Sequence, residues 1–100
     1  MPIYKTAHFQ IQPAHLNTAK QAIEEFITYI QANEPDTIIY TSVQLKSDET
    51  TFMHFMGFVD AAAEEKHRTS SGVQRFVEVL YPVTVDGVTF VDYDLLATTR

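Results

Sequence analysis

A chain of 100 residues, 45% hydrophobic and 20% charged, fits one globular domain over residues 1–100 and leaves little room for a second. No apolar run approaches the roughly 18 residues of a membrane span, so no membrane partner is expected. Thirteen acidic against seven basic side chains (formal net charge -6, the cations scattered) argue against a nucleic-acid partner, and the absence of cysteine excludes disulfides and thiolate chemistry. A cysteine-free chain whose start shows no basic stretch followed by an apolar one is expected in the cytoplasm.

Residues 3 to 11 alternate, with Ile3, Ala7, Phe9 and Ile11 on one side and Tyr4, Thr6, His8 and Gln10 on the other, and predict a strand. Pro13 sits where a helix would begin, because proline lacks only an N–H that a first turn leaves free. Leu16, Ala19, Ile23, Phe26, Ile27 and Ile30 then recur at helical spacing, and Glu34-Pro35-Asp36 ends that helix. The β-branched run Thr37 to Val43 predicts a second strand, Ser47 to Thr50 a polar turn, and Thr51 to Val59 a third strand antiparallel to the second.

Asp60 reads as an N-cap ahead of Ala61-Ala62-Ala63. Ser71 and Gln74 stand in capping-box relation, so another helix is expected from about Ser71, with Val73, Phe76, Val77 and Leu80 as its stripe and Pro82 as its stop. Val85-Asp86-Gly87-Val88 is read as a turn into a last strand, about Thr89 to Ala97. The order β-α-β-β-α-β, with the second helical region in two pieces, predicts an α+β ferredoxin-like antiparallel sheet with helices on one face. On the third strand His54, Met56 and Phe58 share one side and Met53, Phe55 and Val59 the other, so both faces are apolar. A second copy of the chain is the expected cover for the face the helices leave bare.

The first and third strands are neighbours in such a sheet. His8 and His54 are therefore expected to line one cavity with Tyr4, Met56 and Phe58, and Phe76 on the last helical stripe joins these as a lining residue. An apolar pocket with few polar groups suits a small molecule, and a histidine in it can act as a general base near neutral pH. The alternative is that both histidines are structural. His67, near the break between the helical pieces, reads either as a base at the pocket mouth or as a partner for helix-end backbone groups. His15 reads as a solvated surface residue. No histidine or carboxylate pair has zinc-helix spacing, so no metal is expected. There is no Gly-x-Ser-x-Gly element, and three glycines leave no phosphate-cradling loop. Asp92 and Asp94 read as the solvated side of the last strand rather than as an acid/base pair.

Glu34-Pro35-Asp36-Thr37-Ile38-Ile39-Tyr40 and the stretch Phe52 to Ala62, followed by His67 three residues before Ser70 and by Val73, Phe76 and Leu80, resemble the antibiotic biosynthesis monooxygenase domains. Met56 stands where that family often has glutamate, and Phe58 where tryptophan is frequent. The resemblance implies a homodimeric α/β barrel of two sheets packed face to face. It also implies oxygenation of a small aromatic or quinol-type compound without metal, flavin or other cofactor, with His67 the first candidate for the base and His54 and His8 behind it. A non-catalytic small-molecule-binding dimeric barrel, or an isomerase or lyase using the same pocket, are the alternative readings.

Overall fold

The first strand, β1 (Ile3–Ile11), alternates as its sequence predicts, with Ala7, Phe9 and Ile11 buried and His8 and Gln10 exposed. The computed structural model describes residues 1–99; Arg100 lies outside the described residues. Pro13 opens a single 3-10 turn, Pro13–His15, and the α-helix proper, α1, follows over Leu16–Asn33. Its buried stripe is Ala19, Ala22, Ile23, Phe26 and Ile30. Glu34 leaves the helix at φ -126°, ψ 74°, as the proline after it demands.

The hairpin of β2 (Thr37–Gln44) and β3 (Thr51–Phe58) is closed by Asp48. Its carboxylate accepts hydrogen bonds from the Thr50 N–H (3.0 Å), the Thr50 hydroxyl (2.6 Å) and the Thr51 hydroxyl (2.9 Å). These bonds hold the Asp48 carboxyl below its ordinary range. Helix α2 (Ala61–Arg68) is capped by Asp60, whose Oδ1 accepts from the Ala63 N–H at 2.9 Å. Helix α3 (Ser71–Leu80) is capped by Ser70, one residue earlier than the capping-box reading, through its Oγ and the Val73 N–H at 3.1 Å.

The last strand differs from its sequence reading. Strand β4 spans Thr84–Tyr93, and the Asp86-Gly87 pair is a bulge within it rather than the turn before it. Phe9 pairs with Val88 and Gln10 with Val85, so the two residues between stand out of the ladder at φ 65° and 78°. Glycine carries that positive φ without strain, which made the pair look like a turn. Beyond Tyr93, residues 94–99 have no regular structure.

The strands form one antiparallel sheet in the order β2-β3-β1-β4. Helices α1 and α3 cover one face. Phe26 and Phe76 stack at 4.3 Å there, and Gly72 of α3 admits the Tyr29 ring of α1 so closely that a Cβ would collide with it. Phe26 and Phe76 make the core with Phe9, Ile11, Phe52 and Leu80, and partly buried Tyr29 packs against it. The architecture is α+β and ferredoxin-like.

The other face has no helix over it. Tyr4 lies across Gly57, where a Cβ would meet the ring at 2.7 Å, and stacks on Phe55 at 5.9 Å. No helix is long and apolar enough to cross a membrane among the described residues.

Candidate functional site

Side chains pointing from the sheet toward the helices leave a cavity of about 520 Å³. Its floor is Ala7 and Phe9 of β1, Tyr40 of β2 and His54, Met56 and Phe58 of β3; Phe26, His67, Val73 and Phe76 close it from the helices. This volume falls in the range of small-molecule sites, and the lining is mostly apolar. At the rim, Lys5 of β1 pairs with Glu64 of α2 and lies 3.6 Å from Asp92 of β4, while Arg68 pairs with Glu65.

His67 stands in the last turn of α2 and points inward, buried. Its Nδ1 lies 2.8 Å from Oε1 of Glu34, which is also buried and accepts the Thr37 hydroxyl at 2.8 Å. A carboxylate only accepts, so the proton of the neutral ring sits on Nδ1 and the Nε2 lone pair is left for the cavity. The other Glu34 oxygen is buried with no partner. Phe26 and Phe58 lie against the imidazole at 5.7 and 5.0 Å between ring centroids. The site is therefore a carboxylate–imidazole dyad in an apolar wall, able to take up and return a proton.

His54 belongs to the same wall and is 1% exposed. Its Nδ1 is 2.9 Å from the Tyr40 hydroxyl, its Nε2 is buried without a partner, and Phe9 and Phe76 pack on the ring. Burial pushes its pKa down to about 4, so the ring is neutral at neutral pH. Burial likewise raises the Tyr40 phenol, with smaller contributions from Tyr81 and Glu34, and it keeps its proton. Among the described residues no three His, Asp or Glu side chains gather as a metal-ligand group.

Five of the residues singled out from the sequence meet here: His54, His67, Met56, Phe58 and Phe76. His8 and Tyr4 do not. Ala7 pairs with His54 and His8 with Met53, so even-numbered residues of β1 share a face with odd-numbered residues of β3. The expected common cavity of His8, Tyr4 and His54 rested on the opposite parity, and a slip of one residue reverses the face. His8 is exposed on the open face, bonded to the Thr6 hydroxyl at 2.8 Å. His15 is on the surface.

Glu34 and Tyr40 were placed by the sequence only in the end of the first helix and in the second strand, with no part in the site. Glu34 did carry a signal. A carboxylate capping a helix C-terminus opposes the helix dipole, so a buried one there needs a cationic or donor partner elsewhere in the fold.

The sequence pattern of the family described as antibiotic biosynthesis monooxygenase matches residues 2–79. No curated relative matches the sequence. Among solved structures, the chain is similar to a candidate antibiotic biosynthesis monooxygenase of Bacteriodes thetaiotaomicron VPI-5482, with TM-score 0.91 and 16% identity over 99% of this chain and 93% of that one. Rv0793 of Mycobacterium tuberculosis gives 0.90 at 15% identity, with both chains covered in full (100% each). PA3566 of Pseudomonas aeruginosa gives 0.85 at 20% over 96% and 95%. At these identities the structural likeness speaks for the fold, while the family pattern runs from β1 into α3 through both halves of the cavity. The chain belongs to the antibiotic biosynthesis monooxygenase family.

Proposed function

We propose that the chain is a monooxygenase that oxidises a small aromatic or quinol-type compound in the cavity beneath α1 and α3, with His67 as the general base and no cofactor. The observation that carries this reading is the Glu34–His67 dyad, 2.8 Å between Oε1 and Nδ1, set among Phe26, Phe58 and Phe76. Family membership supports it.

The Nε2 lone pair of His67 accepts the proton of a phenolic hydroxyl, and Glu34 faces the positive charge that forms on the ring. The phenolate left behind is rich in electrons and reduces oxygen itself. A C–O bond forms between a ring carbon and dioxygen, and the His67 imidazolium returns its proton to the terminal oxygen, giving a hydroperoxide. Breaking its O–O bond as the carbon gives up its hydrogen leaves a quinone carbonyl and releases one water. Overall a phenol and dioxygen become a quinone and water, one oxygen atom going to each. The protein supplies the base, the shape and the dry walls.

The open sheet face completes the proposal. Val43, Val91 and Tyr93 are 45%, 37% and 49% exposed there, beside half-buried Tyr4, Met53 and Phe55. An apolar sheet face of this kind is one that a second copy covers, giving the homodimeric barrel.

Oxygen consumption by the metal-stripped protein against a panel of hydroquinones and polyphenols, with His67→Ala beside it, tests the reading. Uptake that survives chelation and fails in the variant is the expected result. No uptake across the panel would return the cavity to ligand binding or to oxygen-independent isomerase or lyase chemistry. A variant that chiefly loses melting temperature would make His67 a structural residue.

A further inference from the structure

We propose that Glu64 is a specificity-determining residue: with Asp92 it masks the Lys5 ammonium at the rim, so the cavity takes uncharged phenols and turns away aromatic carboxylates. The inference deepens the reading of this cavity as an aromatic-substrate site and rests on it.

Among the described residues, the side chains of fixed charge that line the cavity are Lys5, Glu64 and Arg68. Lys5 shares a side of β1 with Ala7 and Phe9 of the floor, because alternate residues of a strand point the same way. Its register partner on β4 is Asp92, whose carboxylate lies 3.6 Å from Nζ, and from the helix side it is paired with Glu64. The Lys5 and Glu64 side chains are 21% and 17% exposed, so water screens that pair only in part. Arg68 is bound to Glu65 in a pair 61% and 57% exposed, which adds little either way. The rim thus sets two cations against three carboxylates, and the better-shielded cation already has two of them.

Glu64 is placed for this by its helix. It stands in the first turn of α2, where the N-terminal dipole favours a negative charge. His67 follows three residues later on the same side of the helix, so the mask and the base are one turn apart. A ligand carboxylate entering beside them meets two carboxylates for one ammonium. To reach Lys5 it must displace Glu64, which leaves that acid unpaired in a partly buried place. Inside the cavity it finds the His67 lone pair and apolar rings, which do not replace a lost hydration shell. A neutral phenol meets none of these costs and brings the hydroxyl proton that His67 accepts. Negative charge then arises within the cavity, when the base takes the proton, and is not carried in. The wrong ligand is rejected by the partner it is denied.

Calorimetric binding of para-hydroxybenzamide and para-hydroxybenzoate to the whole protein at neutral pH tests this, since the two probes share a shape and differ by a charge. The amide should bind the wild type about tenfold tighter than the acid. Glu64→Gln should shrink that ratio about tenfold, because the freed Lys5 then meets the ligand carboxylate, and adding Lys5→Met should restore it. An acid that binds the wild type as well as the amide overturns the proposal. So does a ratio that Glu64→Gln leaves unchanged, or a gain that survives Lys5→Met. An amide that fails to bind removes the aromatic site and the proposal with it. Turnover is a separate readout: no oxygen uptake, with the selectivity and its Glu64→Gln shift intact, removes the monooxygenase reading only.

Discussion

The two faces of the sheet are built from the same four strands, alternate residues facing alternate ways, and they differ in how they treat polar groups. On the helix-covered face every buried polar side chain has a specific role in a pair: Glu34 with His67 and Thr37, His54 with Tyr40. On the open face the polar groups are small or solvated, such as Thr6 and His8, and the larger side chains are Tyr4, Met53, Phe55, Val91 and Tyr93. Buried polarity is expensive unless paired, so a protein places it where a ligand or a proton has use for it. Plain apolar surface serves a partner, because it asks only for shape. Under the proposed function, the contrast separates a face for chemistry from a face for assembly.

The sharpest way to break that contrast is Glu34→Gln. An amide cannot face an imidazolium as a carboxylate does, so turnover should fall by ~10²–10⁴-fold, the range general-base catalysis contributes. A comparable drop in melting temperature with turnover per folded molecule retained would make the dyad structural. Next in size is Phe76→Ala, which removes the ring stacked on Phe26 at 4.3 Å and opens the cavity roof. It should cost ~3–5 kcal/mol in chemical denaturation. A loss near that of a surface position would mean the roof is not part of the core.

Acidification probes the covered face through His54. Its folded pKa of about 4 lies below the 6.5 of an unburied histidine, so between those values the unfolded chain binds the proton and the folded chain does not. Stability should therefore decline as pH falls from about 6.5 to about 4, by roughly 3 kcal/mol from this group, and level off below. His54→Phe should remove that part of the slope. An unchanged slope in the variant would assign it to other groups.

On the open face, Val91→Asp should shift sedimentation from dimer to monomer with the cavity ligand still bound. A dimer that persists would place the interface elsewhere. Smallest of all, His15→Ala on the surface should change stability by no more than ~0.5 kcal/mol and leave turnover alone. A larger effect would give that residue a role no contact in the structure suggests.

Much of the covered face was legible in the residues. Helical spacing in α1 put Phe26 on its buried stripe, and the period of two in β3 put His54, Met56 and Phe58 on one shared side without saying which face of the sheet that side was, since those periods come from backbone geometry alone. The Asp60 cap was readable for the same local reason, and the Ser70 cap was missed by a single residue. The Asp86-Gly87 bulge was misread because positive φ at glycine serves a turn and a bulge equally, and only the partner strand tells them apart. Helix and strand identities, the order of elements and the apolar character of both sheet faces were thus determined by the sequence itself, because they depend on neighbours a few residues apart. Which residues of β1 share a wall with His54, and that Glu34 meets His67 across 33 positions, were decided by the tertiary structure. Strand register and the docking of α2 on the end of α1 are set by the packing of the whole core, and no local pattern of residues encodes the parity of one strand against another.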